Sequence, residues 1–165
     1  MLAVIRIRGS TGIRKEAEDT ASLLRLHRIN HMVLVRDDKQ TLGMLRKLKD
    51  YVTWGEIDRD TLELLLRNRL LLKGRKKPEE DGLESVTGFK TFSDMADSIL
   101  NGKVTMNGIS NAVPVFRLHP PKGGYEKIRK QYTQGGSSGY RGKDINTLIR
   151  KMLKPGSDLN GEDKN

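Results

Sequence analysis

Three apolar, largely β-branched runs punctuate the first part of the chain: "LAVIRIR" at residues 2–8, "HMVLV" at 31–35 and "YVTWGEI" at 51–57. Each is short, rich in Val and Ile, and bounded by polar or glycine residues, which is the pattern of a β-strand. Gly9 and Gly12 mark the turn after the first. Between the runs the apolar spacing changes to three and four. Over residues 14–27, Ala17, Ala21, Leu24 and His27 fall on one helical stripe with Leu23 beside it. After Asp37 and Asp38, which offer N-caps, Leu42, Leu45, Leu48 and Val52 roughly repeat the pattern. Strand–helix–strand–helix–strand over so few residues leaves little choice of fold. It predicts an α+β core, a small sheet with its helices packed on one face.

The rest of the chain reads as helices and loops appended to that core. Asp60 and Glu63 form a capping-box pair ahead of a helix with Leu62, Leu65, Leu66 and Leu70 inward. Residues 74–82 ("GRKKPEEDG") read as a polar loop. Thr91 or Ser93 can cap a helix burying Met95, Ala96, Ile99 and Leu100, closed by Gly102. "VPVFRL" at 113–118 is a strand candidate, and residues 145–153 a last helix. The polar end, "PGSDLNGEDKN" at 155–165, is expected to be disordered. The division expected is therefore a core over 1–58, a helical and basic extension over 59–154, and a tail over 155–165. There is no internal repeat.

Charge narrows the function. Lys and Arg number 31 against 21 acids, a net +10, and the excess is concentrated. Residues 117–154 carry ten Lys and Arg against only Glu126 and Asp144, a net +8. Residues 78–98 lean the other way, with Glu79, Glu80, Asp81, Glu84, Asp94 and Asp97 against Lys90 alone. A localised basic segment of this density attracts polyanions, above all nucleic acid. No cysteine is present, so disulfides, thiolate metal sites and cysteine nucleophiles are excluded together. The apolar start, five residues before an Arg, is too short for a signal peptide, and no apolar run approaches a membrane span. His27, His31 and His119 lack the spacing of a zinc site. The glycine-rich "QGGSSGYRGKD" fails as a P-loop. Ser137 stands where the first Gly is needed, and Asp144 follows Lys143 in place of the magnesium-binding hydroxyl. Trp54 reads as core, and Asp58 and Asp60 as helix caps. No set of residues assembles a nucleophile, base and oxyanion donor, so no enzyme, cofactor or small-molecule substrate is expected.

The basic segment opens with "RLHPPKGGYEK". Its prolines hold the chain extended beyond the preceding strand. Gly123 and Gly124 then allow a backbone turn close to an anion, with Lys122 beside them. Arg117, Lys127, Arg129, Lys130, Arg141 and Lys143 supply further cations, and His119 and Tyr125 flat faces for a base or ribose. The stretch at 134–142 reads as a flexible basic arm that orders on RNA. The expectation is phosphate neutralisation with recognition of RNA shape. A small nucleotide-binding enzyme and a free RNA-binding regulator are the rival readings.

With these residues in view, the chain resembles a known family. Arg8-Gly9, "NHMVLV", "GMLRKLKDYVTWGEID", "TLELLLRNR" and "RLHPPKGG" occur in the order found in the universal large-subunit ribosomal protein thirty family, in its longer archaeal and eukaryotic form. The resemblance covers nearly all of residues 1–154, while the stretch at 134–142 and the tail look variable beside it. It implies a ferredoxin-like core, a structural place in the large ribosomal subunit in the cytoplasm, and no enzymatic activity. The partners it implies are large-subunit ribosomal RNA and neighbouring ribosomal proteins, with Arg8 joining the basic segment in contacting the RNA.

Overall fold

The computed structural model describes residues 1–109 and 111–153. Its core is β1 (Leu2–Arg6), α1 (Lys15–Leu23), β2 (His31–Val35), α2 (Lys39–Lys47) and β3 (Val52–Glu56). β1 lies between the other two and is antiparallel to both, with Ile5 opposite Met32 on β2 and Val4 opposite Trp54 on β3. This split β-α-β-α-β order is the expected ferredoxin-like arrangement. Six further helices and strands follow among the described residues. They are α3 (Arg59–Arg69), α4 (Leu83–Thr87), α5 (Phe92–Leu100), two-residue strands β4 (Phe116–Arg117) and β5 (Gly139–Tyr140), and α6 (Ile145–Met152).

The central strand is buried at all five positions, and the reason is that both faces of the sheet are covered. Leu2 and Val4 pack with Ala17, Ala21, Leu45 and Leu48, so α1 and α2 occupy one face together. Ala3 and Ile5 point the other way, into a cluster built by Leu62, Leu65, Met95, Ile99, Ile149 and Met152 of α3, α5 and α6. The extension is thus the second cover of the sheet. It also supplies both edges: β4 pairs antiparallel with β2, and β5 parallel with β3, giving the order β4-β2-β1-β3-β5. Such short edge strands leave little free ladder for another chain to join.

Arg6 is the one charged side chain drawn into β1's burial. Its guanidinium donates to Leu26 O at 2.7 Å, Arg8 O at 2.8 Å and Ser10 Oγ at 3.1 Å. Burial still lowers its pKa, against the opposing pull of Glu18 and Tyr51.

Several sequence expectations move. The first strand stops at Arg6, short of residue 8, and α1 stops at Leu23, because Arg25 takes a left-handed φ of 63°. The turn rotates Leu26 into the core and leaves His27 exposed, off the predicted stripe. α3 is capped by Asp58, whose side chain accepts from Thr61 N at 2.7 Å, in place of the Asp60–Glu63 box. Glu63 instead faces Arg59 and Arg67. The strand expected at 113–118 shrinks to two residues, since Val113 N is diverted to Leu71 O and Pro114 has no N–H to give. Of the loop at 74–82, the first part doubles back with Leu72 N on Lys76 O at 2.7 Å, and a short helix, α4, follows its end. Asp38 and Thr91 cap α2 and α5 as expected, accepting from Thr41 N and Asp94 N. Residues 155–165 lie outside the described residues.

Candidate nucleic-acid interface

The basic segment is built onto the end of α6. The last carbonyls of a helix lack intrahelical partners. Here Met152 O accepts from His119 N at 3.0 Å, Lys151 O from Lys122 N at 3.1 Å, and Leu153 O from Arg69 Nε at 2.9 Å. The "HPPK" run is therefore held along the helix terminus, with Pro121 buried and Lys122 at the surface. Gly123 and Gly124 follow at φ 83° and 76°, values that glycine adopts without steric cost, and Gly124 N closes the turn on Pro121 O at 2.9 Å.

Tyr125 then turns inward. Its hydroxyl donates to Asn30 Oδ1 at 2.6 Å, and its ring packs against the core, so burial raises its pKa strongly. The flat face expected for a base is used inside the protein. His119 is half-buried, and burial with the nearby Arg69 lowers its pKa.

The stretch read as a flexible arm is folded, which corrects that expectation. The carbonyls of Glu126, Lys127, Lys130 and Gln131 point inward, onto a strap formed by Gly136, Ser137 and Ser138. Lys130 O accepts from Ser137 N at 3.1 Å, Ser138 N at 3.2 Å and Ser138 Oγ at 3.0 Å. Glu126 O takes Ser137 Oγ at 2.8 Å, and Gln131 O takes Gly136 N at 2.9 Å. Both serines are almost fully buried. Small residues are needed here because the backbones approach closely: a Cβ on Gly136 would overlap the Lys130 carbonyl. Composition alone reads Gly-Gly-Ser-Ser-Gly as a flexible linker; the long-range bonds that override this are invisible in it. With the carbonyls committed inward, Lys127, Arg129 and Lys130 stand at the surface on an ordered loop.

Arg141 is placed differently. Its Nε donates to Thr53 Oγ1 at 2.7 Å and a terminal nitrogen to Ser137 O at 2.7 Å, while its guanidinium lies 4.7 Å over the Tyr132 ring. Its backbone N–H extends the β5 ladder to Trp54 O at 2.9 Å. Burial lowers its pKa. Arg8 also has internal bonds, lying 5.0 Å over Tyr51 and reaching Asp50 O at 3.4 Å. Arg117 is exposed on the edge strand opposite His31, and Lys143 is exposed in the turn before α6. Lys154 lies outside the described residues. Sequence reading missed the bracing residues, Asn30, Thr53, Gln131, Ser137 and Ser138. The only trace of them was two serines flanked by glycine, small enough for backbone contact.

Among the described residues no group of His, Asp and Glu is placed to hold a metal, and no helix is long and apolar enough to cross a membrane. Residues 2–52 match the family model described as ribosomal protein L30p/L7e. Over the whole chain, the large ribosomal subunit proteins uL30 of Thermoplasma volcanium and Thermoplasma acidophilum are each 61% identical, with all of both chains covered. That of Methanocorpusculum labreanum is 41% identical over 92% of this chain and 99% of its own. The chain belongs to the uL30 family. The family model ends within β3, yet the full-length relatives run through the extension as well. The residues of α3 to α6 and the loops between them therefore fall within the full-length match to these relatives.

Proposed function

We propose that this uL30 chain is a structural constituent of the large ribosomal subunit in the cytoplasm, held by ribosomal RNA and neighbouring subunit proteins, with no catalytic activity. Full-length identity to proteins of that name supports the placement. The finer reading is that the extension makes the principal RNA contact. One observation carries it: the loop at 127–130 turns every charged side chain to solvent while the carbonyls of Lys127 and Lys130 are bonded to the buried Ser137–Ser138 strap. Cations held in an ordered frame meet phosphates without having to be ordered first. Arg117, Lys122, Lys143, Arg150 and Lys151 are exposed as well. In this reading Gly123 and Gly124 bring backbone close to the RNA, His119 lies beside them, and Arg8, Tyr125 and Arg141 hold the loops in shape.

Five to eight phosphate contacts give a slope of log K against log salt of roughly −4 to −7. The test is binding of the full chain to its large-subunit RNA fragment across a salt series. Lys127→Glu with Arg129→Glu should weaken binding far more than Lys76→Glu with Lys77→Glu. Equal effects of the two pairs, or a nearly flat salt dependence, refute the assignment.

A further inference from the structure

The segment that carries ten cations has two acids, Glu126 and Asp144, and the fold brings both to one cleft. The cleft, of about 350 Å³, is at the small end of ligand sites and admits one nucleoside rather than a stretch of chain. Its walls are the Gly124–Tyr125 turn, the Gly136–Ser137 strap, and the side of α6 bearing Thr147, Leu148 and Lys151. Arg141 stacked on Tyr132 forms a flat cationic and aromatic wall.

Charge distinguishes this cleft from the surface around it. Glu126 and Asp144 offset Arg141 and Lys151, so the lining is neutral where its surroundings are strongly positive. A phosphate gains little from entering a neutral cleft. A neutral ring with donors on one edge and acceptors on another gains from both signs. Asp144 accepts one bond, from the Tyr132 hydroxyl, and a carboxylate has capacity for several more. The Glu126 carboxylate accepts no bond from any described residue. Guanine presents paired N–H donors at N1 and N2, suited to a carboxylate, and acceptors at O6 and N7, suited to a lysine.

We propose that this cleft receives a single guanine splayed out of the bound RNA, read by Asp144 and Glu126 and flanked by Lys151. The proposal deepens the RNA-binding assignment above and rests on it. Single-stranded or bulged bases are the elements of folded RNA that proteins read in this way.

The test has two arms. In the first, amide spectra of the full-length protein are recorded with GMP, AMP or inorganic phosphate. GMP should shift Gly124, Gly136 and Thr147, at about one-tenth the concentration AMP requires, the discrimination a good bidentate base contact gives. Phosphate should leave those three amides in place. Asp144→Asn keeps an oxygen for Tyr132 but loses the charge, and should bring GMP to the AMP level. Equal response to GMP and AMP in the unaltered chain overturns the proposal.

In the second arm, subunits are assembled with the unaltered chain or with Thr147→Trp, which fills the cleft from an exposed position. Kethoxal, which attacks guanine N1 and N2, should modify one additional guanine in the variant particles. Identical modification patterns overturn the proposal. Lys127→Glu with Arg129→Glu keeps the two readings apart. It should weaken RNA binding without changing the GMP-to-AMP ratio. If it fails to weaken binding, the interface assignment falls by itself.

Discussion

Arg141→Met separates a structural arginine from an RNA-binding one. Counted from sequence, Arg141 is one cation among ten; in the fold its guanidinium bridges β3 and the strap that carries the basic loop. The substitution removes two short bonds, to Thr53 Oγ1 and Ser137 O at 2.7 Å each, and the stack on Tyr132. Hydrogen bonds from a charged donor contribute about 1.5–3 kcal/mol each. The half-buried guanidinium also gives up its desolvation cost when it is removed, so the sum must be reduced. The Thr53 hydroxyl keeps its own bond to Gly139 O at 2.8 Å, whereas Ser137 O loses a partner in a buried position. A net loss of about 2–3 kcal/mol follows. With a urea dependence near 2 kcal/mol per molar, the unfolding midpoint should fall by about 1–1.5 M. Equilibrium urea unfolding reads this directly. Salt titration of RNA binding reads the other half: the slope should not change, whereas Arg129→Gln should lower it by about one unit and leave the midpoint alone. A midpoint within 0.2 M of the parent, taken as roughly the precision of such extrapolations, refutes the bracing role. So does a slope reduced by a full unit.

Gly55→Ala on β3 should also destabilise, by about 1–3 kcal/mol. The new Cβ would overlap the Gly142 carbonyl oxygen and stand 3.0 Å from Ile145 Cβ, and thermal unfolding at the parent's temperature would expose an error. Amide exchange should be slow at Gly136, Ser137, Ser138 and Arg141, whose N–H groups bond to Gln131 O, Lys130 O and Trp54 O; exchange at unprotected rates would mean the strap opens freely. Stability should fall as pH drops below about 6.5, because burial holds the His31 pKa below its unfolded value, helped by Arg117, His27, Arg28 and Arg6. The unfolded chain then binds the proton first, so the contribution is complete above the unfolded pKa and is lost below it. His119 shifts in the same direction, so His31→Gln should flatten this part of the profile only in part; an unchanged profile counts against the assignment.

The core was legible because its signals are local. Val, Ile and Leu at strand spacing, and Ala17, Ala21 and Leu45 at helix spacing, need no knowledge of distant residues. Asp38 and Thr91 were found as caps for the same reason: the accepting oxygen and the donating amide are three residues apart. The errors came where a long-range partner decides. Nothing near Arg141 names Thr53, and nothing near Tyr125 names Asn30. Whether a Ser in a glycine run is loose or buried depends on a carbonyl supplied by another turn. Arg25 shows a second kind of failure. A left-handed turn at a non-glycine residue carries no composition signal, and it cost the assignment of His27.

If residues 127–130 contact RNA as proposed, the folded strap changes what that binding must overcome. A flexible arm that orders on binding loses about 2–5 kcal/mol of its gross interaction energy to that ordering. Here the ordering of residues 127–130 is completed during folding, by bonds to Ser137 and Ser138 that exist without RNA. The glycines are what make such a strap possible. Gly136 fits beneath Lys130 only without a side chain, and Gly139 at φ 85° turns the chain into β5 beside Gln131. Residues that look pliant in the sequence are therefore the ones that hold the cations still.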